Sequence, residues 1–458
     1  MKRYLNKFYG MILLVAMVAA GTSCSTEDLD PSLEQSKESA NAILSVGDME
    51  GVLKGAYNRF SSSGYYGRDY LVTNEVRTEN VFSNGNSGRF STEAAFQYLP
   101  NSVYIWDNAY EVIAVANILI QTDLSTLELS ESERAYAVHI QGQAYAIRAL
   151  AHYDLLKTYG QQYVGGDLGV PYIKTFKGGN DFPTRDTVDS NISDILSDLQ
   201  TAFDMMSSDF FDPSKEFMSK YTAKALEARV ALQFEMWAQA RDAAKAVIDS
   251  GIYSIVSADD YVASFDQDGG ANSIFEIAAS DTDNAGSNSL EFIYRGSTYG
   301  DIEVLPSVED LYGDSDVRAD ILGYEGDKLR NMGKYPNRAA NVIVIRYEEM
   351  ILTYAEALYQ LDNAEALTWF NKIPENRNAE AYTEMSEENI LLENRKEFIF
   401  EGLYLWDKLR YEEGLEKISP LQNILEDVPY GDNRFAYPIP LSEIDANSNI
   451  TQNPGYGG

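Results

Sequence analysis

The chain has 458 residues, with 36 lysines and arginines against 71 aspartates and glutamates, for a formal net charge of −35. A surface that acidic repels a polyanion and excludes nucleic acid as a partner. Two histidines and one cysteine leave too little ligand chemistry for the common zinc sites or for a Cys/His enzyme.

At the start, Met1 to Tyr9 carries Lys2, Arg3 and Lys7, and Met11 to Ala20 is an unbroken apolar run. Ten residues make about 15 Å of helix, roughly half a bilayer core, so residues 1–23 read as an export signal and not as a membrane span. Gly21-Thr22-Ser23 places small residues before Cys24, the only cysteine. A lone cysteine cannot staple its own fold, and at a cleavage site it is best read as the point of lipid attachment. Thr22 and Ser23 depart from the usual Leu-(Ala/Ser)-(Gly/Ala)-Cys pattern. Two or three acyl chains would hold the protein on a membrane at about 0.8 kcal/mol per buried CH₂. Loss of Lys2, Arg3 and Lys7 with the signal carries the net charge from −35 to −38. Residues 24–44, opening Ser25-Thr26-Glu27-Asp28, have no pattern and read as an acidic tether.

Helical periodicity begins near Ser45, with Met49, Val52, Leu53, Ala56, Tyr57 and Phe60 on one face, and Ser61 to Gly64 ends it. Residues 61–103 are loop-rich around Asn84-Gly85-Asn86-Ser87-Gly88, and a segment that long and irregular is a functional candidate. Amphipathic patterns over Tyr104–Gln121, Ser130–Tyr159, Val188–Met206, Tyr221–Met236 and Ala238–Asp249 predict helices. Ala225, Ala228, Ala231, Ala240, Ala243 and Ala244 let the last two approach closely as a hairpin. Tyr347–Leu361 and Ala364–Ile373, turning at Asp362-Asn363, predict a second hairpin of tetratricopeptide type, with a degraded consensus. Residues 252–340 are rich in Gly, Asp, Ser and Asn, with one plausible strand at Ser273 to Ile277. The predicted class is mainly α: a tetratricopeptide-like helix-hairpin scaffold over about 45–60, 104–250 and 347–373. Long irregular loops over 61–103, 252–340 and 374–458 are left for ligand, with little β.

Chemistry candidates are few. Asp266-Gln267-Asp268-Gly269-Gly270 starts like a calcium loop but lacks the later ligands and the closing Glu, so a turn is the better reading and no metal is expected. No GxSxG, HExxH, P-loop or dinucleotide fingerprint is present, and no cofactor is expected. Glu397 and Glu401, one helical turn apart with Arg395 nearby, read as ion-pair residues before catalytic ones. Sugar recognition needs aromatic faces beside amides and guanidinium groups. Tyr65, Tyr66, Tyr70, Phe82, Asn84, Asn86, Arg89 and Phe90 supply that mixture in one loop region, and Tyr294, Arg295 and Tyr299 in another. Each ring alone is better explained by pinning a loop to the scaffold; the ligand reading rests on the group.

Several separated motifs resemble the SusD/RagB family. They are Gln143 to Leu155 with Tyr159-Gly160 and Gly169 to Tyr172, the Ala-rich pair at 223–248, and Arg346-Tyr347-Glu348-Glu349-Met350 through Tyr354-Ala355-Glu356-Ala357. Asn394-Arg395-Lys396-Glu397 through Glu401-Gly402, and Pro438-Ile439-Pro440 with Gln452 to Tyr456, complete the set in order from about residue 45 to the C-terminus. The resemblance implies an outer-membrane lipoprotein, not an enzyme, facing the cell exterior as a lid on a SusC-like TonB-dependent barrel. It would capture glycans, or peptides as RagB-type members do, for import. Glu27-Asp28 after Cys24 looks like the acidic surface-export signal of such lipoproteins. Asn394 stands where the family usually has Glu and Leu403 where Arg is common, which touches an expected buried ion network. Family ligand residues lie in poorly matched loops, so the site candidates rest on loop chemistry alone. A glycoside hydrolase using two unassigned carboxylates is the remote alternative.

Overall fold

Ser45 accepts from the amide of Asp48 and starts α1 (Val46–Phe60), which buries Met49, Leu53, Ala56 and Phe60 along one face. The computed structural model describes residues 43–457 apart from Asn180, Ser297 and Thr298. The leader, Cys24 and most of the tether therefore lie outside the described residues. The chain next forms α2 (Asp69–Glu75) and the short β1 (Val81–Ser83). A helix at 69–75 was not expected, because six of its seven residues are buried and its apolar pattern carries no helical stripe.

The scaffold follows as α3 (Trp106–Gln121), α4 (Glu131–Tyr159), α5 (Val188–Met205), α6 (Lys220–Gln233) and α7 (Trp237–Asp249). Ser130 and Glu133 close a reciprocal capping box at the start of α4. From Gln141 onward all but one of the residues of α4 are buried, because α3 and α5 flank it and α1 lies across it. Along α6 and α7 the small residues Ala225, Ala228, Ala240 and Ala244 are fully buried, which allows the close helix contact their spacing predicts.

Strands are short. β2 (Ser273–Ile277) occupies the predicted span, followed by β3 (Ile302–Val304), β4 (Leu322–Glu325), β5 (Lys328–Asn331) and β6 (Val342–Arg346). Among the described residues they make three antiparallel pairs, β1 with β3, β2 with β6 and β4 with β5. β6 leads directly into α8 (Tyr347–Gln360), which packs on α7. The helix predicted at 364–373 is split into Ala366–Phe370 and Lys372–Asn376. Pro374 has no N–H to donate to the Phe370 carbonyl, so the ladder breaks there.

Further on lie α9 (Glu387–Phe398), α10 (Tyr404–Arg410) and α11 (Leu441–Ala446), in a stretch that reads as loop-rich; α9 carries Glu397 but ends at Phe398, so Glu401 lies beyond the helical turn expected to hold both. The inward face of α9 includes Glu393, Asn394 and Glu397, so hydrophobic periodicity could not reveal it. The two glutamates meet Arg318, Arg346 and Arg377, all at most 1% exposed. Glu397 accepts from Arg346 at 2.6 Å, Arg377 at 3.0 Å and Arg318 at 3.2 Å. Burial alone would raise its pKa, but the three guanidinium groups hold the carboxyl well below its ordinary value. Glu401 pairs with Arg346 and Lys334. The ion-pair reading of both glutamates is the one the geometry supports. Asn394 lies apart from this cluster, 3.4 Å from Asp407. No described helix is long and apolar enough to cross a membrane.

Candidate functional site

The two aromatic loop regions are joined by a small two-stranded sheet. β1 and β3 pair Val81 with Val304 and Ser83 with Ile302, and the ladder continues from the Asn84 amide to the Asp301 carbonyl at 2.9 Å. Residues 84–89 are thereby laid beside residues 299–301. Asn84 donates to the Gly300 carbonyl at 2.7 Å and to Glu303 at 2.6 Å, and Asn86 donates to the Tyr299 carbonyl at 2.6 Å. Both side-chain amides are spent tying the loops together, so their expected role as donors to a sugar gives way to a structural one.

At the rim the guanidinium groups of Arg68 and Arg89 converge on one acceptor, Oδ1 of Asn288, at 2.9 and 3.0 Å. Arg89 lies over the Tyr299 ring at 4.6 Å, and Arg68 over the Phe90 ring at 5.7 Å while bonding Asp69. Each is a cation–π stack that fixes a planar polar surface next to an aromatic one. Beneath them a cavity of about 160 Å³ is lined by Arg68, Asp69, Arg89, Phe90, Glu93 and Tyr104, among others. Burial raises the pKa of Glu93, and neighbouring Asp69 adds to the shift. Phe90 and Tyr104 hold left-handed backbone angles, φ 59° and 46°, a strained choice for bulky residues that clusters at functional sites.

Most of the other predicted rings face inward. Tyr65, Tyr66 and Tyr70 are at most 4% exposed, and all three hydroxyls donate to Asp154 on α4, at 2.8, 2.8 and 2.6 Å. Burial, and then the Asp154 charge, pushes all three phenol pKa values well above their ordinary value. A buried carboxylate must be given donors, and these tyrosines are the donors Asp154 recruits. Phe82 is buried beside β3, and Tyr294 stacks between Tyr335 and Phe400 at 5.8 and 5.6 Å. Arg295 donates to the Met332 carbonyl. Tyr65, Tyr66, Phe82 and Tyr294 are therefore corrected from ligand candidates to scaffold; Tyr70 anchors on Asp154 while also lining the cavity, and Arg295 is tied to the Met332 carbonyl while remaining partly exposed. Tyr299, at 37% exposure, is the one candidate ring that faces solvent, with Arg89 beside it and Phe90 reaching only the cavity.

Sequence reasoning missed Arg68, which follows Gly67 in the aromatic run, and Asn288, a lone amide in a polar loop. Among the described residues no three His, Cys, Asp or Glu side chains are grouped to hold a metal. The predicted turn at Asp266–Gly270 is held by Asn337 to Asp266, the Asn341 amide to Asp268, and the Gly269 amide to Glu276. His152 bonds the Arg148 carbonyl and the Ile173 amide, and burial lowers its pKa to about 3.

Two family models match the chain, one described as "Starch-binding associating with outer membrane" over residues 29–232 and one as "SusD family" over residues 323–456. A SusD-like protein of Formosa agariphila is 22% identical over the whole of both chains. Among solved structures, a SusD superfamily protein of Bacteroides thetaiotaomicron is 25% identical with a TM-score of 0.82, over 90% of this chain and all of that one. A candidate sugar-binding protein of Bacteroides vulgatus is 28% identical with a TM-score of 0.84, over 91% and 99%. Surface glycan-binding protein A of Bacteroides fluxus, at 21% identity and a TM-score of 0.75 over 90% and 99%, shares the fold.

Proposed function

This chain belongs to the SusD family, and from that premise we propose that it captures oligo- or polysaccharide at the cell surface and passes it to a SusC-like TonB-dependent barrel. The observation that carries this reading is the rim, where two guanidinium–aromatic stacks share the Asn288 carbonyl above a cavity. Aromatic faces take the C–H surface of a pyranose, and planar N–H groups reach its hydroxyls. The rim presents few such contacts, each worth about 0.5–1 kcal/mol when exposed. Affinity is therefore expected to be weak per site, as suits a protein that must release its cargo.

The reading is non-catalytic: the acidic pair that the sequence offers, Glu397 and Glu401, is neutralised by buried cations. Attachment to the outer membrane through acylated Cys24, facing the exterior, is supported by the leader and by the outer-membrane wording of the matching family model. Native affinity electrophoresis through gels of starch, xylan, mannan, arabinan or pectin tests it. Retardation by one polysaccharide, unshortened afterwards and lost in Tyr299→Ala, is expected. Retention that survives both Tyr299→Ala and Arg89→Ala would place the ligand elsewhere, and release of reducing ends would make the protein an enzyme.

A further inference from the structure

A groove of about 490 Å³ runs between the 106–117 stretch of α3, residues 171–178 and 181–183, and α11 with Ile450, within the usual range for ligand sites of roughly 300–1,000 Å³. None of the rim residues lines it. Its walls include Ile113, Ile173, Phe176 and Ile450, with Phe182 half exposed at the edge. At one end stand Asp107 and Glu443. Burial raises both pKa values and Asp107 raises that of Glu443 further, against a hydrogen bond from Trp106 that lowers it. The one lysine on the groove, Lys177, is paired with Asp181 at 3.1 Å, and Glu111 lies 3.6 Å from Arg59.

We propose that this groove docks an amphipathic segment of a partner protein, with apolar side chains on the isoleucine and phenylalanine walls and a lysine or arginine at Asp107 and Glu443. A sugar would need polar groups spread around the site. The amides here are already committed, Asn117 to the Ile173 carbonyl and Asn447 to the Pro183 carbonyl, both at 2.8 Å. What remains is an apolar length and an anionic end where two carboxylates stand together. That pattern complements apolar residues followed by a cation, the usual grammar of a segment laid in a groove. The inference stands independently of the rim and of what binds there.

Calorimetric titration of the purified protein with a synthetic peptide of alternating leucine and lysine tests it, with a leucine–glutamate peptide as the control. The lysine peptide is expected to bind and the glutamate peptide not to. Asp107→Asn with Glu443→Gln, which preserve shape, should weaken binding about tenfold, while Asp242→Asn with Glu380→Gln, exposed elsewhere, should leave it unchanged. Phe182→Ala should weaken it as well. No binding by the lysine peptide, or equal weakening by both charge pairs, would overturn the proposal, the latter by reducing it to general attraction to an acidic surface. Displacement of the peptide by a neutral oligosaccharide would also overturn it and make the groove a sugar subsite.

Discussion

Asp154 and Asn288 each gather donors from separate stretches of chain, and they do so at opposite depths. Asp154 is fully buried on α4 and receives three tyrosine hydroxyls. Asn288 sits in a half-buried loop and receives two arginines. Phenols are neutral donors, so they can follow the carboxylate into the interior with their rings filling the space around it, while the buried Lys157 ammonium 3.5 Å away offsets its charge. Guanidinium groups keep their charge, and Arg68 and Arg89 hold it beside Asp69 at 2.6 Å and Asp301 at 3.6 Å, with their faces on aromatic rings. The same residue mixture thus builds a core in one place and the proposed recognition rim in the other.

The comparison breaks most readily at the buried end. Glu397, which collects three arginines as Asp154 collects three tyrosines, is the most sensitive position. Glu397→Gln leaves buried cations undercompensated and should cost about 3–5 kcal/mol in urea unfolding. Its carboxyl pKa is lower folded than unfolded. As the solution is acidified the unfolded chain therefore takes up this proton first. The stability it supplies is complete above the ordinary carboxylate range and is lost as pH falls through the folded value. The variant should show a shallower acid limb; an identical acid limb would mean the network does not control it.

Asp154→Asn comes next. It keeps an acceptor but removes the charge-assisted bonds, at about 2–3 kcal/mol, and leaves polysaccharide retention unchanged. Loss of retention without loss of stability would reverse the assignment of the three tyrosines. Tyr66→Phe sharpens the point at lower cost, removing one hydroxyl of three for about 1 kcal/mol. Smallest in stability is Tyr299→Ala, within about 0.5 kcal/mol because the ring is a third exposed, and it should have the largest effect on ligand.

The long helices were legible because their signals are local. Apolar spacing marked α3 to α8, and Ser130 with Glu133 marks the start of α4 through a contact three residues long. β2 was legible as an apolar run, whereas its partner β6 and the β1–β3 pair depend on register across the chain, which no local pattern encodes. α9 escaped because its buried face is charged. The aromatic candidates failed for a related reason. Whether Tyr65 is core or contact depends on Asp154, 89 positions away in sequence. Arg89 and Tyr299 were both singled out, but their stacking, and the Asn288 that orients it, became visible only in three dimensions.

The measurement that tests the central claim most directly is retention of Tyr299→Ala and of the triple variant Tyr65→Phe/Tyr66→Phe/Tyr70→Phe side by side in a gel of the polysaccharide that retards the wild-type protein. The account predicts that Tyr299→Ala runs free at wild-type stability, while the triple variant is destabilised and still retarded. Retardation of Tyr299→Ala with free migration of a folded triple variant would contradict it.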